Sequence, residues 1–394
     1  MNKCAQHHSD SITLTLMQWG QFIDHDLVLT PETPGVNGCC EDFRTVTTSS
    51  PDCVPIDVRG DEFYGSVGST VNCLSFVRSQ RATCIDPNNP NRETINVLTA
   101  YLDGSMIYGS TDTVATSLRS FSGGLLKFGP GSENLSCVQS TQDSCPRSFL
   151  PTRPGTSGNP EFFAVEEQPS LTSLHTCFLR FHNYIASLVN CNGDELKYQA
   201  ARKIVGAIVQ VITYNEFLPL VLGQNVMNDD FSYGRALSLD RSYFYNKSIC
   251  TTAPNVFSTA CFRFGHSLLP DKFNLPNGRV IKLAESFNNH DITIKDTSFP
   301  SHFLGGITLQ TSMPMDQHIT EAVQSFLFAQ GPSFGFGSDL PARNIQRGRD
   351  HGIPGYVTWH NACVNSPYDI ITSFDDLIGI MPDCVIAAFK KLYK

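Results

Sequence analysis

The sequence has no Cys-x-x-Cys pair, no cluster of lysine and arginine, and few charges, 16% of its 394 residues. The missing Cys-x-x-Cys spacing argues against zinc-ribbon and dithiol redox sites. The net charge of -9 argues against nucleic acid or an anionic membrane surface as the main partner. The longest charge-free apolar run near the centre, residues 204–214, is shorter than the about 20 residues of a membrane helix. We therefore expect a buried core helix there and no membrane span.

Cysteine, in contrast, is abundant. The 14 cysteines are an even number, and N-glycosylation sequons lie at Asn134 and Asn246. Together these features indicate an oxidising, glycosylating compartment, so we predict a secreted, disulfide-bonded glycoprotein. The first residues, MNKCAQHH, lack the apolar segment of a signal peptide. Cys73 with Cys84 is the local disulfide that we expect.

The distribution of residue types predicts a mainly α protein of one domain with little β structure. Residues 31–95 and 120–165 are rich in Pro, Gly, Ser, Asn and Cys, which predicts long disulfide-pinned loops. Apolar residues recur at intervals of three and four over 170–190, which predicts a helix. A second helix is predicted over 196–223, and because it is apolar nearly all round, we expect it to be central.

The stretch GQFIDHDL, residues 20–27, carries several polar groups within an apolar helical pattern that we extend from 11 to 29. Residues four apart share a helix face, so Gln21 and His25 point the same way, with Asp24 beside them. Asp26 is rotated by about 100° from His25. A lone histidine on such a face is usually a hydrogen-bonded core residue, but this many buried polar groups would each need a partner. The density of polar groups therefore indicates a functional site.

Five blocks follow one another along the chain: MQWGQFIDHDLVLTPE (17–32), TAYLDGSMIYGS (99–110), EEQPSLTSLHT (166–176), FRFGHSLLP (262–270) and DLPARNIQRGRDHGIPGY (339–356). They resemble the animal haem peroxidases, in the order found in that family. The style is most similar to the peroxinectin and peroxidasin-like invertebrate members, and the resemblance covers nearly the whole chain. It implies a mainly α fold that binds haem and calcium and uses hydrogen peroxide to oxidise a small electron donor, such as a phenol or a halide.

The resemblance implies a role for individual residues around the haem. His25 matches the distal histidine that takes a proton from hydrogen peroxide, and Gln21 matches the residue that holds distal water or halide. Asp24 and Glu167 match the two acids that form ester bonds to the haem.

On the other side of the haem, His266 matches the iron ligand of the family. Asn344 matches the residue that accepts the second ring N–H of that histidine. Arg263 and Arg347 match residues that pair with the haem propionates. We expect His175, His182 and His351 to be structural.

Asp26 matches the first ligand of a calcium ion in the family. The other matching ligands lie in the TAYLDGS stretch, where oxygen donors at alternating positions suit calcium chemistry independently. Alone, that stretch is typical of a polar turn; paired with Asp26, a calcium site is favoured. The expected ligands are Asp26, Thr99, the Tyr101 carbonyl, Asp103 and Ser105.

The chain departs from the family at residues 162–169. Relatives have Ala-Gly-Asp-x-Arg-Val-x-Glu-Gln-Pro where this chain has FFAVEEQP. Aligned without a gap, Ala164 replaces the arginine; aligned on FFA, four residues are deleted. Either way the distal cation is lost, so we expect weakened peroxidase activity and a doubtful ester at Glu167. Family domains also extend beyond both ends of this chain, which predicts an incomplete domain.

Two alternative functions remain open. Arg59-Gly60-Asp61 is a tripeptide that integrins bind, which suggests peroxinectin-like cell adhesion, although three residues are weak evidence and such a turn is more often only a solvated loop. A non-catalytic matrix protein of the same fold is the other alternative. Tyr356 and His360 superficially suggest lipid oxidation, but the surrounding GIPGYVTWHNAC fits the peroxidase block better.

Overall fold

The computed structural model describes residues 12–36, 38–46, 50–66, 71–83, 92–127, 167–229, 248, 251–289, 298–329, 335–364, 366 and 369–393. Helices dominate this part of the chain, as the sequence predicts. The strands are short and form two-stranded antiparallel sheets. They are β1 (Cys40–Glu41) with β2 (Thr45–Val46), β3 (Ile56–Asp57) with β4 (Cys73–Leu74), and β5 (Lys272–Asn274) with β6 (Val280–Lys282).

The helices that matter for the site lie far apart in sequence. In the first half of the chain they are α1 (Leu14–Leu27), α2 (Glu62–Ser66), α3 (Ser105–Tyr108), α4 (Asp112–Leu118), α5 (Pro169–Leu188) and α6 (Asp194–Ile212). A π-helical turn (Thr213–Phe217) continues into α7 (Leu218–Leu222), followed by α8 (Gln224–Asp229) and α9 (Asn255–Thr259). A 3-10 helix (Cys261–Leu268) precedes α10 (Phe299–Leu309), α11 (Glu321–Gln324), α12 (Leu340–Asp350), α13 (Tyr356–Cys363), a 3-10 turn (Phe374–Leu377) and α14 (Asp383–Leu392).

Helix α1 lies between two hydrophobic clusters. Its Trp19 and Phe22 pack into one cluster with Phe178 of α5, whose ring centroid is 5.0 Å from that of Phe22. Leu14 and Met17, on another face, pack into a second cluster with residues from α10 and β5. Burial on two sides fixes the rotation of α1 about its axis, and so decides where its polar residues point.

The two long predicted helices are confirmed over 169–188 and 194–222, but the second is not fully central. One face of α6, with Tyr198, Val205 and Val209, packs into the cluster around α1. Large apolar side chains on its other face are exposed, including Ile204 at 41% and Val211 at 43%. The expectation of all-round burial is therefore wrong, because the neighbouring helix α5 covers only one side among the described residues.

The helical segment Asp194–Leu222 is 29 residues long and passes a length and hydropathy test for a membrane span. This is weak evidence, since a core helix of a soluble protein passes the same test. From the sequence we expect no membrane span here, because the charge-free apolar run at 204–214 is too short for one. The helix is longer than that run because the π-turn continues it without a break.

Two disulfides pin the loops after α1, as expected, but with a different pairing. Cys39 bonds to Cys53, and Cys40 bonds to Cys73. The expected Cys73–Cys84 pair is wrong, because Cys73 N donates to Phe43 O, between β1 and β2, and this contact holds Cys73 beside Cys40.

Candidate active site

Two adjoining cavities lie between α1 and the 3-10 helix at 261–268. The larger has a volume of about 590 Å³ and the smaller about 200 Å³. The volume of the larger cavity is typical of pockets for small molecules and cofactors. The residues that line both cavities are Asp24, His25, Glu167, Phe262, Arg263 and His266.

His25 projects from α1 into both cavities. Among the described residues its Nδ1 has no hydrogen-bond partner. Burial lowers the pKa of His25 to about 4, so the ring is neutral at physiological pH. A neutral imidazole in the cavity wall can accept a proton from a ligand there.

Gln21 lies one turn before His25 on α1 and lines the smaller cavity. Its Nε2 donates to Glu167 Oε2 at 3.3 Å, and its Oε1 accepts from Gln168 Nε2 at 2.9 Å. Residues from α1 and from the start of α5 therefore meet here.

Asp24 and Glu167 are two acids that face the same space. Burial raises the pKa of each to about 7, and the positive charge of Arg263 opposes this rise in both. Their mutual repulsion adds to the shift at Asp24. Both carboxyls are thus partly protonated at neutral pH, which lessens the cost of holding two acids in one cavity.

His266 lines both cavities from the 3-10 helix. Burial first, and then the charge of Arg263, lowers the pKa of His266 to about 3. Asn344 of α12 lies against the ring, with Nδ2 at 2.8 Å from His266 Nδ1, while its Oδ1 accepts from Arg263 Nη1 at 3.1 Å. The contact between His266 and Asn344 is present, but the amide nitrogen faces the ring where the resemblance implies the oxygen.

Arg347, one turn after Asn344, lines the larger cavity. Its Nη1 donates to Asp350 Oδ2 at 3.1 Å and to Ser79 Oγ at 2.9 Å, and its Nη2 lies 3.4 Å from Glu32 Oε1. Arg263 instead donates through Nε to Thr259 O at 2.8 Å. Among the described contacts of Arg263, none is an ion pair at salt-bridge distance, so its charge is available to an anionic group in the cavity.

Asp26 points away from the cavities and into the loop before α3. Its carboxylate accepts from Gly104 N at 3.0 Å, from Ser105 N at 2.6 Å and from Ser105 Oγ at 2.6 Å. Asp103 lies in the same loop and accepts from Thr99 Oγ1 at 3.1 Å. No group of three or more His, Cys, Asp or Glu side chains that could hold a metal occurs in the described residues. The donor set is mostly hydroxyl and carbonyl oxygen.

Tyr101, which was expected to contribute its carbonyl, has a side chain that is 56% exposed. Its ring points to solvent. This fits a residue that would act through its main chain alone.

The three histidines expected to be structural have packed or hydrogen-bonded surroundings. His182 Nδ1 lies 2.9 Å from Tyr108 Oη and its Nε2 lies 2.9 Å from Gly124 O. His175 packs edge-on against Phe22 with ring centroids 4.9 Å apart. His351 Nε2 lies 2.7 Å from Ser79 Oγ, yet this residue also lines the larger cavity.

Sequence reasoning missed several residues of the cavity wall. Asn288 and Phe328 line the larger cavity, and both have a positive φ, at 50° and 56°. No motif marks them, because they come from loops outside the matching blocks. Gln168 was also missed, although its position beside Glu167 is a signal that could have found it.

Some predicted features cannot be placed. Ala164 and the rest of the departure up to residue 166 lie outside the described residues, and so do the sequons at Asn134 and Asn246. Tyr356 and His360 lie on α13 with ring centroids 5.7 Å apart, and neither lines the two cavities.

The residues of the cavities fit a haem. Two histidines that burial keeps neutral project into one space, and a neutral imidazole is the form that binds iron. Arg263 offers a positive charge, and apolar side chains such as Phe262 and Leu269 line the remaining wall. Fold and site together define a mainly helical protein with a buried pocket suited to a haem.

Comparison with known proteins gives the family. The family model for animal haem peroxidases matches residues 1–394, so the chain belongs to the animal haem peroxidase family. It is 36% identical over 383 residues to myeloperoxidase of Mus musculus, which covers 89% of this chain and 50% of that protein. It is 31% identical over 416 residues to the peroxidasin homologue pxn-2 of Caenorhabditis elegans, covering 98% of this chain and 30% of that protein. The chain thus spans half or less of these relatives.

Solved structures show the same fold at lower identity. Peroxidase A from Dictyostelium discoideum superposes with a TM-score of 0.73 and 22% identity, over 100% of this chain and 73% of that one. A fatty acid alpha-dioxygenase from Oryza sativa superposes with a TM-score of 0.63 and 16% identity, over 96% of this chain and 62% of that one. The mainly α, peroxidase-like fold is therefore confirmed.

Proposed function

We propose that this chain is a haem-dependent peroxidase that uses hydrogen peroxide to oxidise a small donor such as a phenol or a halide. The observation that carries the proposal is the cavity into which both His25 and His266 project. Family membership supports it. The bound haem would supply the iron at which the O–O bond is cleaved, and the protein would supply binding, orientation and electrostatics.

His25 is the proposed general base. Its position in the wall of both cavities and its low pKa, about 4, describe a neutral imidazole that can accept a proton from hydrogen peroxide. Gln21, on the same face of α1, would hold water, a halide or peroxide beside it. Asp24 and Glu167 would attach the haem by ester bonds. An ester is uncharged, so its formation would remove the cost of burying these two acids.

His266 is the proposed iron ligand, through Nε2. That bond requires the ring proton on Nδ1, which must then donate to Asn344 Oδ1. The Asn344 amide would turn by about 180° from the arrangement described above, since the two ends of an amide have nearly the same shape. The turn would release Arg263 from Asn344 Oδ1 and so leave its guanidinium for a propionate. Arg347 would be the second propionate partner, although Asp350 and Glu32 already neutralise much of its charge.

Calcium is the second proposed cofactor, bound by Asp26, Thr99, the Tyr101 carbonyl, Asp103 and Ser105. Burial raises the pKa of the Asp26 carboxyl to about 6, and a bound cation would reverse that shift. The hydroxyl and carboxylate oxygens of this loop are ligands that calcium prefers. The hydrogen bonds from Gly104 N and Ser105 Oγ to Asp26, which lies 78 residues before Gly104 in the chain, support the proposal.

We propose that activity is weaker than in relatives that carry the distal arginine. Losing one such charge-stabilising donor costs on the order of 10²–10³ in rate at comparable sites. The proposal rests on the sequence of residues 162–169 alone. We also propose that the protein is secreted, on the strength of its 14 cysteines and the two disulfides near α1.

A haem titration tests the proposed function. We expect stoichiometric uptake with a haem absorption band, and then a change of the visible spectrum on adding hydrogen peroxide. His25→Ala should keep haem uptake and slow the peroxide response by about 10²–10⁴, the usual contribution of a general base. A loaded protein whose spectrum ignores peroxide would favour a non-catalytic matrix role instead.

Cell adhesion through Arg59-Gly60-Asp61 is a second candidate. These residues form an exposed turn before α2, with Gly60 at a φ of 83°. Local contacts occupy both charged groups, because Arg59 pairs with Asp57 at 2.6 Å and Asp61 Oδ1 accepts from Phe63 N at 2.9 Å. An integrin would have to displace these contacts. Cell attachment that is equal for the parent and Asp61→Glu would end this candidate.

A further inference from the structure

Gln168 is a buried residue at the start of α5 that none of the roles above uses. Its Oε1 accepts a hydrogen bond from Ser170 N at 3.0 Å and thereby caps the N-terminus of α5. A backbone N–H can only donate, so this contact fixes which end of the Gln168 amide faces α5. The amide nitrogen, Nε2, therefore faces α1.

Both hydrogens of Gln168 Nε2 go to side-chain oxygens of α1. The acceptors are Gln18 Oε1 at 2.8 Å and Gln21 Oε1 at 2.9 Å. With its oxygen held in this way, Gln21 directs its own nitrogen to Glu167 Oε2. If the oxygen and nitrogen of the Gln21 amide were interchanged, the N–H of Gln21 would face the N–H of Gln168. The oxygen of Gln21 would then face the carboxylate of Glu167.

Burial makes that interchange costly. Gln18 and Gln168 are 1% and 2% exposed, so water does not offer them substitute partners. A buried amide group left without a partner is disfavoured by roughly 5- to 150-fold. The chain of contacts from Ser170 N through Gln168 thus selects one orientation of the Gln21 amide.

We propose that Gln168 is a positioning residue that locks Gln21 as a hydrogen-bond donor towards the cavity. One Nε2 hydrogen of Gln21 goes to Glu167, and the other is left for an anion or a peroxide oxygen in the smaller cavity, which Gln21 lines. A fixed donor here would supply part of the charge stabilisation that an arginine provides in relatives. The inference rests on the proposed function and deepens it.

Gln168→Glu is the decisive variant, because it keeps the size of the side chain and an oxygen to cap α5 but removes the Nε2 donor. When the introduced carboxyl is ionised, it attracts the Gln21 N–H groups, and the Gln21 oxygen faces the cavity. The probe is fluoride, an anion that binds ferric haem and accepts hydrogen bonds, followed by visible absorption. We expect the Kd for fluoride to rise about tenfold over the parent at pH 8. The ratio should shrink at lower pH, where the protonated carboxyl regains a donor.

The matched control is Gln310→Glu. Gln310 likewise accepts and donates through its side-chain amide, but to main-chain groups only: it accepts from Asn274 N at 2.8 Å and donates to Lys272 O at 2.9 Å, and it lines neither cavity. Whatever its effect on stability, Gln310→Glu does not alter the site, so we expect its fluoride Kd to equal that of the parent. A fluoride Kd for Gln168→Glu that equals that of this control at every pH overturns the proposal.

A second measurement needs no haem. In the haem-free protein, Gln21→Leu, Gln168→Leu and the double variant form a cycle of unfolding equilibria. We expect a coupling of about fivefold, the usual net effect of one hydrogen bond, whereas additive effects would contradict the contact. The two proposals can be separated. If the coupling is present but the visible spectrum of the haem-loaded parent does not change with hydrogen peroxide, the proposed function is wrong and the positioning of Gln21 by Gln168 is still supported.

Discussion

The side-chain amide of Asn344 lies 2.8 Å from Nδ1 of His266, although 78 residues separate the two in the chain. The contact joins α12 to the 3-10 helix that carries the proposed iron ligand. Whichever nitrogen of the ring is protonated, Asn344 is the group that pairs with Nδ1. The strength of haem binding should therefore depend on a residue that does not touch the iron.

Asn344→Ala should weaken haem binding by about 10- to 100-fold, the usual effect of removing the group that orients a metal-binding histidine. The measurement is a titration of the haem-free protein with haem. Asn277→Ala is the control, since Asn277 sits in an exposed turn between β5 and β6. Equal affinities for the two variants would show that Asn344 does not support His266.

His266→Ala should abolish the absorption band of a histidine-bound haem, because the variant lacks the imidazole proposed to bind the iron. His360→Ala is the control, since His360 lies on α13 and lines neither cavity. The spectrum of each variant after mixing with haem and gel filtration gives the answer. A normal band in His266→Ala would assign the iron ligand to another residue.

Glu167 should make the haem-free protein less stable as the pH rises. Burial raises its pKa from 4.5 to about 7, and Asp24 and Arg263 are the charged groups that face it among the described residues. The unfolded chain loses the Glu167 proton near pH 4.5 and the folded chain near pH 7, so the free energy of unfolding falls across that window. Glu167→Gln removes this loss.

The advantage of Glu167→Gln over the parent should therefore be small at pH 4.5 and should reach about 1–3 kcal/mol above pH 7, given about 1.4 kcal/mol for each pKa unit. Urea unfolding of both haem-free proteins at several pH values measures it. Glu321→Gln, at an exposed position on α11, is the control. A constant difference across the pH range would show that the Glu167 carboxyl is ionised in the fold.

Calcium should raise the thermal midpoint of the parent and have no effect on Asp26→Asn. Binding to the folded state alone adds about 2.7 kcal/mol at a hundredfold excess over the Kd. In Asp26→Asn the buried carboxylate that would face the ion is lost. Thermal scans with calcium and with a chelator make the comparison. Asp112→Asn, at the exposed start of α4, should respond to calcium as the parent does. A parent that ignores calcium would contradict the site.

The sequence alone determined the long helices, the mainly α class and the family. Apolar residues at intervals of three and four mark α5 and α6 because a helix buries one face, and that periodicity is local. The crowding of Gln21, Asp24, His25 and Asp26 on α1 likewise predicts a functional site from the sequence alone. The ordered blocks then assigned each of these residues an expected role.

Only the tertiary structure decided what lies between distant segments. The pairing of Cys73 with Cys40 accompanies a long-range hydrogen bond from Cys73 N to Phe43 O, which no local spacing encodes. The exposed face of α6 depends on which helices pack beside it. The orientation of the Gln21 amide depends on Gln168, 147 positions further along the chain. These features arise from long-range contacts, which local sequence patterns do not encode.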